Sequence, residues 1–387
     1  MKNLLEIMDL NTNVINQIKN DLKTKGCDRM FEKKSILIVD DQKENITALK
    51  SLLNDQYEIY AALNGKAALR VMNVVRIDLV LLDLVMPIMD GFETLRLMKM
   101  DEKLENIPVI FITSALEDAK ESMGLSLGAA DYIKKPYNPT IINIKVKNQL
   151  ENKMYRESLE QLVEIRTQEI EASREAIIMG MSYLAEGRDQ ETGGHIKRMQ
   201  QYTRIIANQI VHDYPEALTK EDAKSIVLLA PLHDIGKVNI PDSILLKEDK
   251  LTSDEFEMMK AHTTFGAEVL KKTENLLHEY SNFLKHAIDI AEGHHEKYDG
   301  SGYPKGLKGD EIPLSACISS IADIYDALTS ERPYKRALSH EEALDIIYNG
   351  DGRVEPQHFN PIVLESFRKV ANRFNEIRQS SVRLYEL

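Results

Sequence analysis

Two short stretches carry most of the visible chemistry. The first runs from Ala291 to Pro304, reads A-E-G-H-H-E-K-Y-D-G-S-G-Y-P, and sets His294 and His295 side by side. Neutral imidazole is a good ligand for Zn, Fe, Mn or Ni, and adjacent rings offer nitrogens to neighbouring cations. Gly300 and Gly302 free the backbone that follows, and Pro304 fixes the direction in which it leaves. Taken alone, the pair would equally suit the solvated end of a helix. The second stretch is His233-Asp234, which follows the apolar run K-S-I-V-L-L-A-P-L and precedes Ile235-Gly236-Lys237. An imidazole and a carboxylate at a helix end can bind one metal and bridge to a second. Glu191 and His195, four apart, share a helix face. His262 stands alone, and Asp323 lies inside the apolar helix I-S-S-I-A-D-I-Y-D-A-L. A lone histidine is more often a core or surface residue than a ligand, and an unpaired buried aspartate would be costly. Together, five histidines and three carboxylates exceed what one tetrahedral zinc takes. They suit two or three divalent cations sharing a carboxylate, with Fe or Mn favoured and Zn or Ni as alternatives.

A different constellation occupies the first half, which has no histidine. Asp40 and Asp41 follow I-L-I-V, Asp83 closes D-L-V-L-L-D, Thr113 and Ser114 follow V-I-F-I, and Lys135 comes just after D-Y-I and before Pro136. Carboxylates converging from separate segments would repel unless a cation joined them, and oxygen-only ligands favour Mg2+. An ammonium and a hydroxyl beside them could each take a phosphoryl oxygen. Such a site transfers a phosphoryl group onto a carboxylate.

The elements that must position these groups follow from hydrophobic periodicity. Strands are predicted at 36–39, 57–63, 78–83, 109–112 and 131–133, separated by helical patterns. That alternation implies a doubly wound α/β fold with a parallel sheet covered on both faces, whose working groups sit at the carboxyl ends of the strands. Residues 139–185 form a long helical stretch, free of Pro and Gly from Thr140 to Met179. Val163, Ile170 and Ile177 recur at heptad spacing, although Arg166 and Ser173 fall where a parallel two-stranded coiled coil would want apolar residues. The expected organisation is a helical extension over 1–34, an α/β domain over 35–150, a signalling helix over 151–179 and an all-α domain over 180–387.

Residues 35–150 resemble a response-regulator receiver domain, on the strength of the acidic pair, D-L-V-M-P-I-M-D-G, Thr113 and D-Y-I-K-K-P. The resemblance implies a flavodoxin-like fold with Asp83 as phospho-acceptor. It implies Mg2+ held by Asp40, Asp41, Asp83 and the Val85 carbonyl, and a switch made of Thr113, Tyr132 and Lys135. It also implies a cis Lys135–Pro136 peptide and a sensor histidine kinase as partner.

Residues from about 180 resemble an HD-GYP domain, the helical metal-dependent phosphodiesterase family acting on cyclic di-GMP. The matching segments are R-D-Q-E-T-G-G-H, H-D-I-G-K, I-P-D-S-I-L, H-H-E-K-Y-D-G-S-G-Y-P, A-D-I-Y-D-A-L-T and R-P-Y-K, in the family's order. Carried over, His195, His233, Asp234, His262, His294, His295 and Asp323 would ligate metal, with Glu191 at the position associated with a third ion. His233, Asp234 and Lys237 would be catalytic. Lys237, Tyr303, Asp326, Arg332 and Lys335 would contact the substrate. The chain departs from the pattern at Asn360, where Asp is common, and at Cys317, where Arg is common; neither is a proposed ligand. The reaction implied is metal-assisted hydrolysis of cyclic di-GMP to pGpG, and from there to GMP.

Composition narrows the remaining classes. The chain has 387 residues, 43% hydrophobic and 29% charged, and a net charge of -13. That acidity argues against non-specific nucleic-acid binding, and no helix-turn-helix candidate follows the receiver-like region. There is no apolar run of about 18 residues, and the two cysteines cannot form a disulfide framework. A cytoplasmic homodimer with no DNA or membrane partner is expected. A non-catalytic nucleotide-binding or protein-interaction adaptor, or a phosphodiesterase for another cyclic dinucleotide, are the competing readings.

Overall fold

The computed structural model describes residues 33–114, 123–187, 194–277, 282–331 and 336–385. Most of the expected extension over 1–34 lies outside them, as do Glu191, Arg332 and Lys335. The chain divides into two compact units, Met1–Gln168 and Glu169–Leu387.

In the first unit, β1 (Ser35–Val39), β2 (Glu58–Ala62), β3 (Leu79–Asp83), β4 (Val109–Thr113) and β5 (Asp131–Lys134) form one sheet in the order β2-β1-β3-β4-β5. Every pairing is parallel, with Val39 opposite Leu82, Leu82 opposite Phe111 and Thr113 opposite Lys134. This is the doubly wound order whose switch point lies between the first and third strands. The unbroken apolar runs are explained by burial on both sides. Leu37, Val39, Val80, Leu82, Val109 and Phe111 join one core layer, and Ile36, Ile38, Leu79, Leu81, Ile110 and Ile112 the other. Helices α1 (Lys43–Leu53), α2 (Gly65–Val74) and α3 (Gly91–Lys99) connect the strands. The last two are capped by Asn64 and Asp90, whose side chains accept from Ala67 and Glu93 backbone N–H groups.

Helix α4 runs unbroken from Pro139 to Glu186. Its first turns pack Ile142, Val146 and Leu150 into the sheet's second layer. Further along, Val163, Ile170 and Ile177 are 64%, 54% and 62% exposed, so the heptad row faces outward rather than into a core.

The second unit is helical: α5 (Gly194–Asp213), α6 (Lys220–Leu229), the one-turn α7 (Asp242–Leu245), α8 (Ser253–Leu276), α9 (Lys285–Gly293), α10 (Leu314–Thr329), α11 (His340–Asn349) and α12 (Pro361–Tyr385). One core gathers α5, α6, α10, α11 and α12, with Tyr202 stacked on Phe374 at 4.4 Å. A second joins Ile178 of α4 to α8 and α9. The two departures noted in the sequence are absorbed locally. Asn360 caps α12 by accepting from Ile362 and Val363 N–H, a role that Asn fills as well as Asp. Cys317 is buried in the first of these cores.

Candidate functional sites

At the carboxyl edge of the sheet, oxygens of Asp40, Asp41 and Asp83 all lie within 4.8 Å of one another. The strands end in register, which brings together groups more than forty residues apart in sequence. Lys135 reaches in from beyond β5, its Nζ 2.9 Å from both Asp40 Oδ2 and Asp83 Oδ2. Asp40 is held from below: Gln42 N–H and the Asn45 amide donate to it at 2.9 and 3.0 Å. Burial raises the Asp83 pKa, and the Asp40 charge adds to this against the pull of Lys135. Burial disfavours the Lys135 ammonium, yet its two carboxylate partners outweigh that and hold its pKa above the ordinary lysine value. The ammonium thus stands where a phosphoryl oxygen on Asp83 would need a counter-charge, while Asp41 remains exposed to solvent. Thr113 is buried at the end of β4. Tyr132 is half-buried on β5, with Lys145 Nζ 4.8 Å from its ring centre. Val85 is 78% exposed just past Asp83, and the Lys135–Pro136 peptide is cis.

In the helical unit, five segments deliver the expected metal-type ligands. His195 opens α5, and His233 and Asp234 lie between two short 3-10 turns, Ala230–Leu232 and Ile235–Asn239. His262 lies within α8, His294 and His295 follow α9, and Asp323 lies in α10. Two clusters result: Glu186 with His195 and His233, and His262 with His294 and His295. Asp234 stands between them. Its Oδ2 is 3.3 Å from His233 Nε2, while its Oδ1 is 3.2 Å from His262 Nε2 and 3.7 Å from His294 Nε2. One carboxylate therefore faces both clusters. Asp323 Oδ1 is 3.8 Å from His195 Nε2, on the edge of the first.

The rings are held so that their inner nitrogens face one another. Nδ1 of His233, His262 and His294 points to the backbone carbonyls of Ala230, Met259 and Ile290 at 3.2, 2.7 and 2.9 Å. Nδ1 of His195 is 2.7 Å from Asp326 Oδ2. With each Nδ1 engaged outward, Nε2 is the ring atom turned inward, the arrangement that orients imidazole toward a metal. Among the described residues, the buried polar atoms without a hydrogen-bond partner include Glu186 Oε1 and Oε2, Asp234 Oδ1, His262 Nε2 and His294 Nε2. Buried polar atoms are rarely left so, and a group of them converging on one centre fits cations well.

Local packing enforces this arrangement. A Cβ on Gly236 would stand 1.9 Å from the His262 carbonyl oxygen and 2.5 Å from Gly266 N, so only glycine lets the His233-Asp234 turn approach α8. Past the paired histidines, Glu296 is buried and accepts N–H groups from Lys305 and Leu307 at 2.7 and 3.0 Å, fastening the loop. A Cβ on Gly302 would meet Lys297 N at 2.3 Å, which explains the glycine-rich stretch as close approach. The fastened loop lays the Tyr303 ring against His295, centroids 4.8 Å apart.

Electrostatics split the histidines into two kinds. Burial lowers His294 and His295, the latter to about 4, and neighbouring imidazoles push the same way. Burial also opposes protonation of His195 and His233, but Asp326 lifts the first to about 9 and Asp234 the second to about 10. Burial raises Glu186 to about 7. Burial likewise opposes ionisation of Asp234, but Lys237 at 2.9 Å and His233 outweigh it and hold its carboxyl well below the ordinary range.

Two differences from the expected site emerge. Asp326 does not present itself to a substrate. It is 1% exposed, and its oxygens are taken by His195 and by Arg198 Nε and Nη2 at 2.6 and 2.8 Å. It orients His195 instead. Glu186, not foreseen as a ligand, is the carboxylate that the structure brings to His195 and His233; Glu191, expected in that role, is outside the described residues. Glu186 ends α4 directly after the largely apolar stretch A-I-I-M-G-M-S-Y-L-A, a signal of burial that does not by itself point to a ligand. The facing pairs His195/Arg198 and Asp323/Asp326, each three apart on a helix, did carry one for Asp326.

A carboxylate cluster with a lysine at the edge of a doubly wound sheet, followed by a histidine and carboxylate centre in a helical unit, is the arrangement of a response regulator with a metal-dependent phosphohydrolase output. Comparison with known proteins agrees. The response regulator receiver domain model matches residues 36–147 and the HD domain model residues 184–357. The chain is 43% identical over 354 residues to a probable cyclic di-GMP phosphodiesterase of Vibrio cholerae, across 89% of this chain and 79% of that protein. It is 36% identical over 330 residues to the cyclic di-GMP phosphodiesterase response regulator RpfG of Xanthomonas campestris pv. campestris, across 83% and 84%. A cyclic di-GMP phosphodiesterase of Thermotoga maritima is 34% identical over 359 residues, across 89% and 92%. The chain belongs to the HD-GYP response regulators, the family that couples a receiver to an HD-type phosphodiesterase domain. Divalent metal dependence follows from the HD domain and its ligand clusters. Among the described residues, no helix is long and apolar enough to cross a membrane.

Proposed function

We propose that this chain hydrolyses cyclic di-GMP to pGpG, and further to GMP, under control of phosphorylation at Asp83 by a histidine kinase. The observation that carries the reading is Asp234 set between two histidine clusters, with unpartnered buried Nε2 and carboxylate atoms facing inward. Glu186, His195, His233, Asp234 and Asp323 would hold one side of the centre, and Asp234, His262, His294 and His295 the other. Mixed imidazole and carboxylate ligands favour Fe or Mn. Divalent cations bound there would supply Lewis acidity to a water nucleophile and to the phosphoryl oxygens.

The chain's own groups do the rest. Lys237, buried and paired with Asp234, offers a fixed positive charge to the phosphodiester. Tyr303 walls the pocket beside His295. Arg332 and Lys335, outside the described residues, would grip phosphate oxygens. In the receiver, Asp40, Asp41 and the Val85 carbonyl would hold Mg2+ beside Asp83, with Thr113, Tyr132 and Lys135 reading the phosphoryl group. The outward row Val163, Ile170 and Ile177 supports a homodimer through α4.

The decisive experiment is Asp234→Ala, assayed with purified protein and Mn2+ or Fe2+. Loss of cyclic di-GMP cleavage is expected; persistent cleavage would sink the assignment. Turnover should also differ with and without beryllofluoride, and equal turnover would remove the phosphorylation control.

A further inference from the structure

Beside the histidines lies a group of side chains that hydrolysis itself does not require. The Tyr303 ring lies 4.8 Å from that of His295, and the Phe256 ring stands edge-on to Tyr303 at 6.3 Å. Phe256 sits in the first turn of α8 and is 46% exposed, a large apolar ring left open to solvent. Lys260, one turn further along the helix that carries His262, places its ammonium 5.1 Å from the Phe256 ring centre and 5.5 Å from that of Tyr303. Glu257 takes one direction of that ammonium at 2.6 Å, and an ammonium has three donors. A solvent-exposed aromatic ring with a cation held over it, two ring contacts from the paired histidines, is a place for a nucleobase to stack beside the ammonium. Bases stack on such faces with little sequence preference, so any choice among bases falls to the cation. Guanine presents O6 and N7 as adjacent acceptors, whereas adenine replaces O6 with an amino donor that a lysine repels.

We propose that Phe256 and Lys260 form the recognition shelf for one guanine of the substrate, the base stacking on Phe256 while the Lys260 ammonium donates to O6 and N7. This rests on the cyclic dinucleotide reading above and makes it more specific. A dinucleotide with two guanines is accepted in either orientation. One with a single guanine is accepted in one orientation, and cyclic di-AMP is rejected in both.

The test compares kcat/KM for cyclic di-GMP and cyclic di-AMP in the full-length, metal-loaded protein and three variants. The wild type should prefer cyclic di-GMP by about tenfold or more, and Lys260→Met should bring that ratio close to one. Phe256→Ala should raise KM for cyclic di-GMP about tenfold, with Phe256→Trp restoring it. A structural role for Lys260 would lower both substrates together and leave their ratio unchanged; that result, or an unchanged KM in Phe256→Ala, would overturn the shelf. A wild type that cleaves cyclic di-GMP and cyclic di-AMP equally also overturns the shelf, but leaves the phosphodiesterase reading standing. A wild type that cleaves no cyclic dinucleotide overturns both.

Discussion

Substituting Gly236 with Ala adds one methyl group at the point where the His233-Asp234 turn meets α8. The new Cβ would stand 1.9 Å from the His262 carbonyl oxygen and 2.5 Å from Gly266 N. Non-bonded heavy atoms settle near about 3.5 Å, so the turn and the helix must part by roughly 1.5 Å. Neither neighbour is a flexible side-chain tip; both are helix backbone. Overpacking of this kind costs about 1–3 kcal/mol, which a domain of this size can survive. The metal centre is less tolerant. Asp234 lies 3.2 Å from His262 across this same contact, whereas ligand distances must hold to within about 0.2 Å.

The expected outcome is therefore uneven damage. Far-ultraviolet circular dichroism should keep its helical signal and the melting midpoint should fall by only a few degrees. Bound metal, measured by inductively coupled plasma mass spectrometry, should drop to less than half the wild-type content. Turnover should fall at least about a hundredfold, because both clusters share the displaced carboxylate. A variant with full metal content and wild-type turnover would refute the argument that glycine sets the approach. A variant that simply fails to fold would also refute it, since the cost would then lie in the core rather than at the site.

Other outcomes follow from the same geometry. Asp326→Asn removes the charge that orients His195, and loss of such an outer partner costs about 10–100-fold in metal affinity; an unchanged affinity by competition with a chelator would contradict this. Cation binding must displace protons from His195 and His233, lifted to about 9 and about 10 without metal, and from Glu186 at about 7. Since protons and metal compete for these atoms, affinity should rise with pH between 6 and 9, with proton release visible by calorimetry in buffers of different ionisation enthalpy; a flat profile would refute the ligand set. Asp83→Asn should abolish phosphoryl incorporation from acetyl phosphate, read by intact mass, and a retained mass shift would place the acceptor elsewhere. Asp78 is held below the ordinary carboxylate range: burial opposes this, but the Ser35 N–H and Lys153 outweigh it. Its contribution is present above the unfolded pKa and lost as pH falls through the lowered one, so wild type and Asp78→Asn should converge in stability at strongly acid pH; a constant difference would refute it.

The fold was legible in proportion to how far local pattern determines it. All five strands appear where they were predicted; β1, β3 and β4 are buried along their whole length and so show no polar alternation to obscure them. The bounds shift by one residue at one end of β1, β3, β4 and β5 and at both ends of β2, where the expected 57–63 narrows to Glu58–Ala62 on a partly buried sheet edge. The receiver-type cluster was equally readable, since each of its groups sits at or near the end of a strand and the sheet order alone brings them together.

The helical unit yields less to such reading, for a physical reason. Its site is assembled from segments whose relative placement depends on tertiary packing rather than on a repeating ladder. The adjacent pairs His233-Asp234 and His294-His295 announce themselves in sequence, but which carboxylate completes a cluster depends on which helix end arrives there. Glu191 stands in the polar segment R-D-Q-E-T-G-G-H, four residues before His195, whereas Glu186 closes the largely apolar stretch A-I-I-M-G-M-S-Y-L-A, a context that suits a buried carboxylate but names no partner for it. The fold supplies that partner: α4 delivers Glu186, 4% exposed and without a hydrogen-bond partner, against His195 and His233. Asp326 illustrates the converse. Its place in the motif suggested a substrate contact, yet a carboxylate buried in the core must be neutralised where it stands, and Arg198 and His195 do so. A motif identifies the residues that belong to the site. Burial and hydrogen-bond balance decide which of them face the reactants and which hold the others in place.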